Sequence, residues 1–277
     1  MGVHMRVAIV GHGFVGKAVD YSIQHPKVEK MIIDPLYNNS IKDLREFDPE
    51  FTFISVPTPM GDKGKIDCSI VYEVMNYLKQ TTTGNLVIKS TIVPKDIKKL
   101  TSGFRNHHII YNPEFLTEKN ANEDFINPSM HIFGGDEPAT KALEKFYHDY
   151  TICTPCPTVH CSPEEASFIK YGINSYLASK VAWFNQFYDI VERADQNWNT
   201  IVNAIGNDVR IGHSHTRVPG YDGKRGYGGA CFPKDTAAFS QYAKTFSILD
   251  KVIEVNNEYR ADYDKDAREI EQKVEYE

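Results

Sequence analysis

Residues 226–235 read GYGGACFPKD, three glycines set against one cysteine and followed by Pro-Lys-Asp. Pro233 suits the first turn of a helix running through KDTAAFSQYAKTF, which puts Cys231 just ahead of the helix N-terminus. The positive dipole end there and the nearby Lys234 favour thiolate over thiol. Gly226, Gly228 and Gly229 strip side chains from the loop and leave room for a substrate to approach. The pattern suits an activated sulfur nucleophile, and Asp235, four residues on, is spaced to reach the same cavity as a base. A buried cysteine beside a loop is the plain alternative. Lys170 and Asn174, four apart in a helical stretch, share one face. An ammonium and an amide so placed can donate to an oxyanion, although for such a pair alone a solvated helix face is the commoner explanation. NPEFLTE (112–118) adds Glu114 and Glu118 beyond a strand end, where open α/β sheets bind ligands.

A second constellation lies near the start. GHGFVG, with Gly11, Gly13 and Gly16, fits G-x-G-x-x-G between a predicted strand and a predicted helix, and Asp34 ends the next strand. Gly11 permits a tight turn, Gly13 lets a pyrophosphate approach the backbone, and Gly16 lets helix and strand pack closely. The amides at the helix start, at Phe14 and Val15, face phosphate. Asp34 would accept from ribose hydroxyls, and DPLYNN offers no arginine for a 2′-phosphate, so NAD is favoured over NADP.

These residues need strand ends and helix starts to hold them. RVAIVG (6–11), KMIID (30–34), FTFISVP (51–57), NLVIKST (85–91), HHIIYNP (107–113) and HIFGG (131–135) alternate with helical stretches, which predicts a parallel sheet with helices on both faces. From 162 to 196 the pattern is one long helix, with Ser162 as N-cap, Pro163 at the first position and Glu165 closing a capping box. Its segment YLASKVAWFNQFY is rich in apolar and aromatic residues for a helix with a wet face. That fits burial against a second copy of the chain or, equally, packing within one subunit. The fold class is α/β: a Rossmann-type doubly wound parallel sheet in residues 1–157, then a mostly helical domain in 158–277 with a long central helix.

Composition narrows the partners. The net charge of −6 gives no basic footprint for nucleic acid. No apolar run approaches the ~18–20 residues of a membrane span, and the early strand leaves no room for a secretory signal. Five scattered cysteines read as reduced thiols in the cytoplasm. CTPCPTVHC (153–161) has one C-x-x-C with no second half at metal-binding spacing, so no metal is expected.

GHGFVG, SVPTP (55–59), KSTIVP (89–94), NPEFLTE, EEASFIKYGINSYLASK (164–180) and GYGGACFPKD occur in one order, and the set resembles the UDP-glucose 6-dehydrogenase family within the nucleotide-sugar dehydrogenases. The resemblance runs to about residue 257. It implies oxidation of a sugar CH2OH to a carboxylate with two NAD and one cysteine, through a thiohemiacetal and a thioester on Cys231. It implies that Lys170 and Asn174 hold oxyanions and that Asp235 serves water and proton transfers. Thr91 and Glu118 match positions assisting thioester hydrolysis. Glu114, Phe115, Leu116 and Gly228 match the sugar site. Gly11, Gly13, Phe14, Val15, Gly16, Asp34, Pro57 and Thr91 match the NAD site. Arg210 resembles an arginine that reaches a neighbouring subunit's substrate in the family's dimer.

The match departs in two places. Family members continue into a third, nucleotide-binding domain, and residues 236–277 read instead as a helix (FSQYAKTFSILDKVIEVNNEYR) with a charged tail, which fits either a compact natural form or a piece of a longer chain. The loop 212–229 is long, and its Arg217, Lys224 and Arg225 are expected either to bind phosphate or to lie exposed. Two competing functions remain from the residues alone: a two-electron hydroxyacid-type dehydrogenase, which would not need Cys231, and a non-catalytic NAD- and sugar-binding subunit.

Overall fold

The computed structural model describes residues 4–104, 106–117 and 119–276. The chain divides into two compact units, Met1–Thr58 with Asp67–Lys170, and Pro59–Ile66 with Tyr171–Glu277.

The first unit runs β1 (Met5–Val10), α1 (Phe14–Ser22), β2 (Val28–Ile33), α2 (Leu44–Phe47), β3 (Phe51–Ile54), α3 (Ser69–Thr81) and β4 (Gly84–Ile88). It continues with α4 (Pro94–Thr101), β5 (His107–Tyr111), α5 (Ala121–Ile126), β6 (His131–Gly134), α6 (Glu137–Tyr150), β7 (Thr158–Cys161) and the start of α7 (Pro163–Arg193). The strands form one sheet in the order β2-β1-β3-β4-β5-β6-β7. The order reverses around β1, so the crevice past the carboxyl ends of β1 and β3 is the switch point where such sheets bind ligands. Strands buried on both faces need continuous apolar runs, and Val7, Ala8 and Ile9 of β1 and Leu86, Val87 and Ile88 of β4 are fully buried. Leu143, Phe146 and Tyr147 recur at helical spacing on α6 and pack with Phe51 and Phe53 into the same core.

The sheet is not wholly parallel. β6 meets β5 antiparallel through the single pair Tyr111–Gly134, and β7 then adds parallel to β6. β7 is thus a seventh strand of this sheet, beyond the expected boundary at residue 157. The start of α7 also belongs here: a Cβ on Gly134 would lie 2.8 Å from Ala166 Cβ and from Pro163 Cα, and Ser167 Oγ donates to the Ile92 carbonyl at 2.6 Å. The division therefore falls inside α7, at Lys170.

The second unit holds the rest of α7, then α8 (Trp198–Gly206), α9 (Phe232–Tyr242), α10 (Ser247–Arg260) and α11 (Ala267–Glu271). Phe184 and Val191 of α7 pack with Trp198 and Val202 of α8 and with Val218. α7 starts with the expected capping box: Ser162 Oγ accepts from Glu165 N at 3.2 Å, and Glu165 Oε2 accepts from Ser162 N at 2.7 Å. The stretch expected as one helix after FPKD is two, broken at Ala243–Phe246, and the charged tail is folded. Val274 is fully buried, Glu269 is 1% exposed, and Met60 N donates to the Gln272 carbonyl at 2.9 Å. No helix among the described residues is long and apolar enough to cross a membrane.

Candidate functional site

In the first unit Gly11 and Gly16 sit where only glycine fits. Gly11 has φ +87°, and a Cβ on it would lie 2.7 Å from the Ser55 carbonyl oxygen. On Gly16 a Cβ would come within 1.9 Å of the Gly11 carbonyl oxygen, so only glycine lets α1 cross β1 there. Gly13, the N-cap of α1, is exposed with nothing within 4 Å of a Cβ. The free space at Gly13 is on the outer side of a helix start, ahead of Phe14 and Val15, where backbone amides can meet a pyrophosphate. Asp34 lies at the end of β2, its Oδ2 accepting from His12 N at 2.8 Å and its Oδ1 from Leu36 N at 3.0 Å. Both bonds fix the carboxylate against the glycine turn. Pro57 is exposed past β3, and Thr91 is buried past β4, where Ser90 Oγ donates to the Val56 carbonyl at 2.7 Å. These residues fit a dinucleotide: an open amide cradle, a fixed acidic group one strand away, and two further strand ends.

Sequence reasoning missed His12 here. Its Nε2 lies 3.0 Å from Asp20 Oδ2 and its Nδ1 2.8 Å from Tyr37 Oη, while Lys30 Nζ is 2.5 Å from Asp20 Oδ1. Burial works against the Asp20 charge, and hydrogen bonds from Lys30 and His12 outweigh it, holding the carboxyl below its ordinary range. The only sequence signal was a ring-bearing residue inside the glycine turn.

The loop after β5 is fastened by Lys170. Lys170 is 2% exposed; its Nζ donates to the Glu114 carbonyl at 2.5 Å, lies 3.5 Å from Glu114 Oε1 and sits 5.0 Å over the Phe115 ring. Glu114 Oε2 accepts from Leu116 N at 2.6 Å. Glu114, Phe115, Leu116 and Lys170 are thus one constellation. Glu118 lies outside the described residues. Beside the loop is a cavity of about 230 Å³ lined by Lys89, Asn112, Glu114, His131 and Tyr147, among others.

In the second unit Cys231 is the half-buried N-cap of α9, so its sulfur leads a helix start as expected. Asp235, 1% exposed, is held at both oxygens: Lys234 Nζ reaches Oδ1 at 2.7 Å and Asn174 Nδ2 reaches Oδ2 at 2.7 Å. Lys234, expected beside the thiol, gives its charge to Asp235 in a buried ion pair. Such a pair holds only because both charges find partners.

The glycines before Cys231 have a reason the sequence did not show. A Cβ on Gly228 would lie 2.4 Å from Arg260 Nη1 and 2.7 Å from Glu269 Oε1, and one on Gly226 would lie 2.6 Å from Asn256 Oδ1. Close packing against α10 and α11 requires them. Asn256 and Arg260 went unnoticed, although they share the helix face of buried Leu249 at spacings of seven and four, and polar residues in core positions were the available signal.

In the basic loop Arg217 is exposed, and Arg225 departs from the expectation. Arg225 donates to Asn185 Oδ1 at 2.8 Å and to Asp189 Oδ1 at 2.7 Å, between the rings of Tyr188 and Tyr259. Lys224 Nζ donates to the Asp264 carbonyl, and Arg217 lies over Tyr221. Arg225 is a structural cation, not an open phosphate ligand. Arg210 is exposed and paired with Asp208, its Nη2 2.6 Å from Oδ2. Burial raises the Cys153 and Cys156 thiols, and burial with Glu165 pushes Cys161 up to about 11, which makes them poor nucleophiles.

A seven-stranded α/β sheet with a dinucleotide cradle at its switch point, followed by a helical unit carrying a cysteine at a helix start, defines a two-unit nucleotide-binding dehydrogenase class. Two family models cover most of the chain. The NAD binding domain of the UDP-glucose/GDP-mannose dehydrogenase family matches residues 37–151, and the central domain of that family matches 164–258. The chain belongs to the UDP-glucose/GDP-mannose dehydrogenase family. It is 28% identical over 301 residues to the UDP-glucose 6-dehydrogenase TuaD of Bacillus subtilis (strain 168), covering 92% of this chain and 63% of that one. It is 31% identical over 242 residues to a UDP-glucose 6-dehydrogenase of Rickettsia bellii (strain RML369-C), covering 84% and 53%. Its fold is similar to that of a UDP-glucose dehydrogenase from the archaeon Pyrobaculum islandicum, with a TM-score of 0.76, 24% identity, and coverage of 93% of this chain and 69% of that one. The chain spans between half and two thirds of the length of the two curated relatives.

Proposed function

We propose that the protein oxidises the CH2OH of a nucleotide sugar to a carboxylate with NAD, through a covalent intermediate on Cys231, and that UDP-glucose is its substrate. The observation that carries this reading is Cys231 at the start of α9, one turn before an Asp235 whose two oxygens are held by Lys234 and Asn174. A two-electron dehydrogenase has no use for that cysteine.

Gly11, Gly13, Phe14, Val15, Gly16, Asp34, Pro57 and Thr91 hold the cofactor, with Asp34 favouring an unphosphorylated ribose. NAD supplies the hydride acceptor. Oxidation of the alcohol leaves an aldehyde. The Cys231 thiolate adds to its carbonyl carbon, and the oxygen takes a proton to become the thiohemiacetal hydroxyl. A second oxidation leaves a thioester with the C–S bond intact. Water, placed by Thr91 and Glu118, adds to the thioester carbonyl; the C–S bond breaks, the thiolate returns and the carboxylate leaves. One alcohol and one water give a carboxylate, two hydrides and three protons. Lys170 and Asn174 donate to the oxygen as charge develops on it. Asp235 keeps Asn174 in place and takes part in proton transfer. Covalent capture keeps the aldehyde from escaping between the oxidations.

Glu114, Phe115, Leu116 and Gly228 contact the sugar nucleotide, and Arg210 extends to the substrate of a second copy. The protein is a homodimer through α7, where Tyr176, Trp183 and Ile190 recur every seven residues and are 66%, 54% and 55% exposed. Its reduced thiols suit the cytoplasm. The test of the cysteine's role is Cys231→Ala, which should bind NAD as the unaltered protein does and form NADH from UDP-glucose at less than about one-hundredth of its rate. A near-normal rate would contradict the covalent route.

A further inference from the structure

A charged tail has no reason to bury its acids, yet Glu269 is 1% exposed in the segment that follows α10. Its two oxygens do different work. Oε2 accepts from Asp266 N at 2.8 Å, and Asp266 Oδ1 accepts from Glu269 N at 2.8 Å, a capping box that starts α11. Oε1 points away from its own helix, accepting from Gly229 N at 3.0 Å and from Tyr276 Oη at 2.5 Å. Gly229 lies two residues before Cys231.

The neighbouring loop residues are gripped as well. Asn256 accepts from Tyr227 N at 2.6 Å and donates to the Tyr227 carbonyl at 3.0 Å. Arg260, 3% exposed, donates to the Gly226 carbonyl at 3.1 Å and to Asp222 Oδ2 at 2.7 Å, and Asn185 Oδ1 accepts from Gly226 N at 3.0 Å. Gly228 is so close to Arg260 and Glu269 that a Cβ would collide with both. Residues 226–229 are therefore fixed one after another by side chains from behind. A buried carboxylate is costly unless its lone pairs are used, and Glu269 uses them on the loop, on Tyr276 and on its own cap. Arg260, Glu269 and Tyr276 all lie past residue 258, where the match to the central-domain model stops.

We propose that α11 and the residues after it form a clasp that sets the position of Cys231, with Glu269 as the positioning residue and Tyr276 and Arg260 as its supports. The inference rests on the reading of Cys231 as the nucleophile, but its structural half can be measured without turnover.

The experiment compares the full chain with Glu269→Ala, Glu269→Gln and Tyr276→Phe. It reads three quantities: amide hydrogen exchange over 226–231, the rate at which iodoacetamide alkylates Cys231 by peptide mass, and kcat and KM with NAD and UDP-glucose. Glu269→Ala should speed exchange at Gly229 by about tenfold or more. It should also change Cys231 alkylation by about threefold or more and lower kcat by about ten- to a hundredfold with KM for NAD unchanged, as displacement of a reacting group does. Glu269→Gln keeps an acceptor for Gly229 N and should recover part of each effect, which a simple loss of folded protein would not produce. Tyr276→Phe removes one donor and should move the same readouts less, so it carries the test if Glu269→Ala fails to fold. Unchanged exchange and alkylation in Glu269→Ala, or in Tyr276→Phe where that variant stands in, would overturn the clasp. Altered exchange and alkylation in a protein whose unaltered form makes no NADH would support the clasp and sink the proposed activity alone.

Discussion

Lys89 and His131 bring two basic groups to the same cavity of the first unit. Lys89 Nζ is 2.9 Å from Asn112 Oδ1 and 5.0 Å over the Phe125 ring, and burial lowers it to about 8. Burial, then repulsion from Lys89, lowers His131 from its ordinary 6.5 to about 4. Between pH 6.5 and 4 the unfolded chain binds the proton that folded His131 refuses, so stability falls as pH drops through that window. Lys89 acts in the same direction at higher pH, its burial penalty easing as pH rises above about 8. Removing the Lys89 charge should therefore raise His131. Lys89→Met leaves Tyr147 Oη donating to Asn112 Oδ1 at 2.9 Å, so the amide keeps a partner. Imidazole resonances followed by NMR should titrate near pH 4 for His131 in the unaltered protein and clearly higher in the variant; an unmoved midpoint would show that burial alone sets it.

At the level of elements, α1 offers two glycines with opposite requirements. Gly16→Ala forces a methyl against the Gly11 carbonyl and should cost about 1–3 kcal/mol, the usual range for overpacking, as a lowered unfolding midpoint. Gly13→Ala meets nothing in the protein. It should leave the midpoint unchanged and weaken NAD by about tenfold or more, because the methyl occupies the approach of the pyrophosphate. Equal NAD affinity would remove Gly13 from the cradle. The packing role of Gly16 was legible, since such constraints are local and leave a fixed spacing in the sequence. So was the start of α7, where Ser162, Pro163 and Glu165 act within one turn. The clasp was not legible. KDAREIEQKVEYE is charged enough to read as solvated, and only the long-range partners Gly229 and Arg260 turn Glu269 inward. The Lys234 ion pair was not legible for a related reason: Asp235 was visible in the sequence, but the burial of both side chains was not.

At the level of the whole molecule, the glycine turn of GHGFVG lies in the first unit and Cys231 in the second, so the proposed reaction draws on both. In the proposed homodimer the exposed stripe of Tyr176, Trp183 and Ile190 is the interface. Trp183→Glu should convert a dimer to a monomer by light scattering without changing the far-ultraviolet dichroism, and a monomeric unaltered protein would remove the dimer from the account. The central claim is a four-electron oxidation, and its most direct measurement is the absorbance at 340 nm with excess NAD and limiting UDP-glucose, counting NADH formed per sugar. Two NADH per UDP-glucose is the expected result. One, or none, would contradict it.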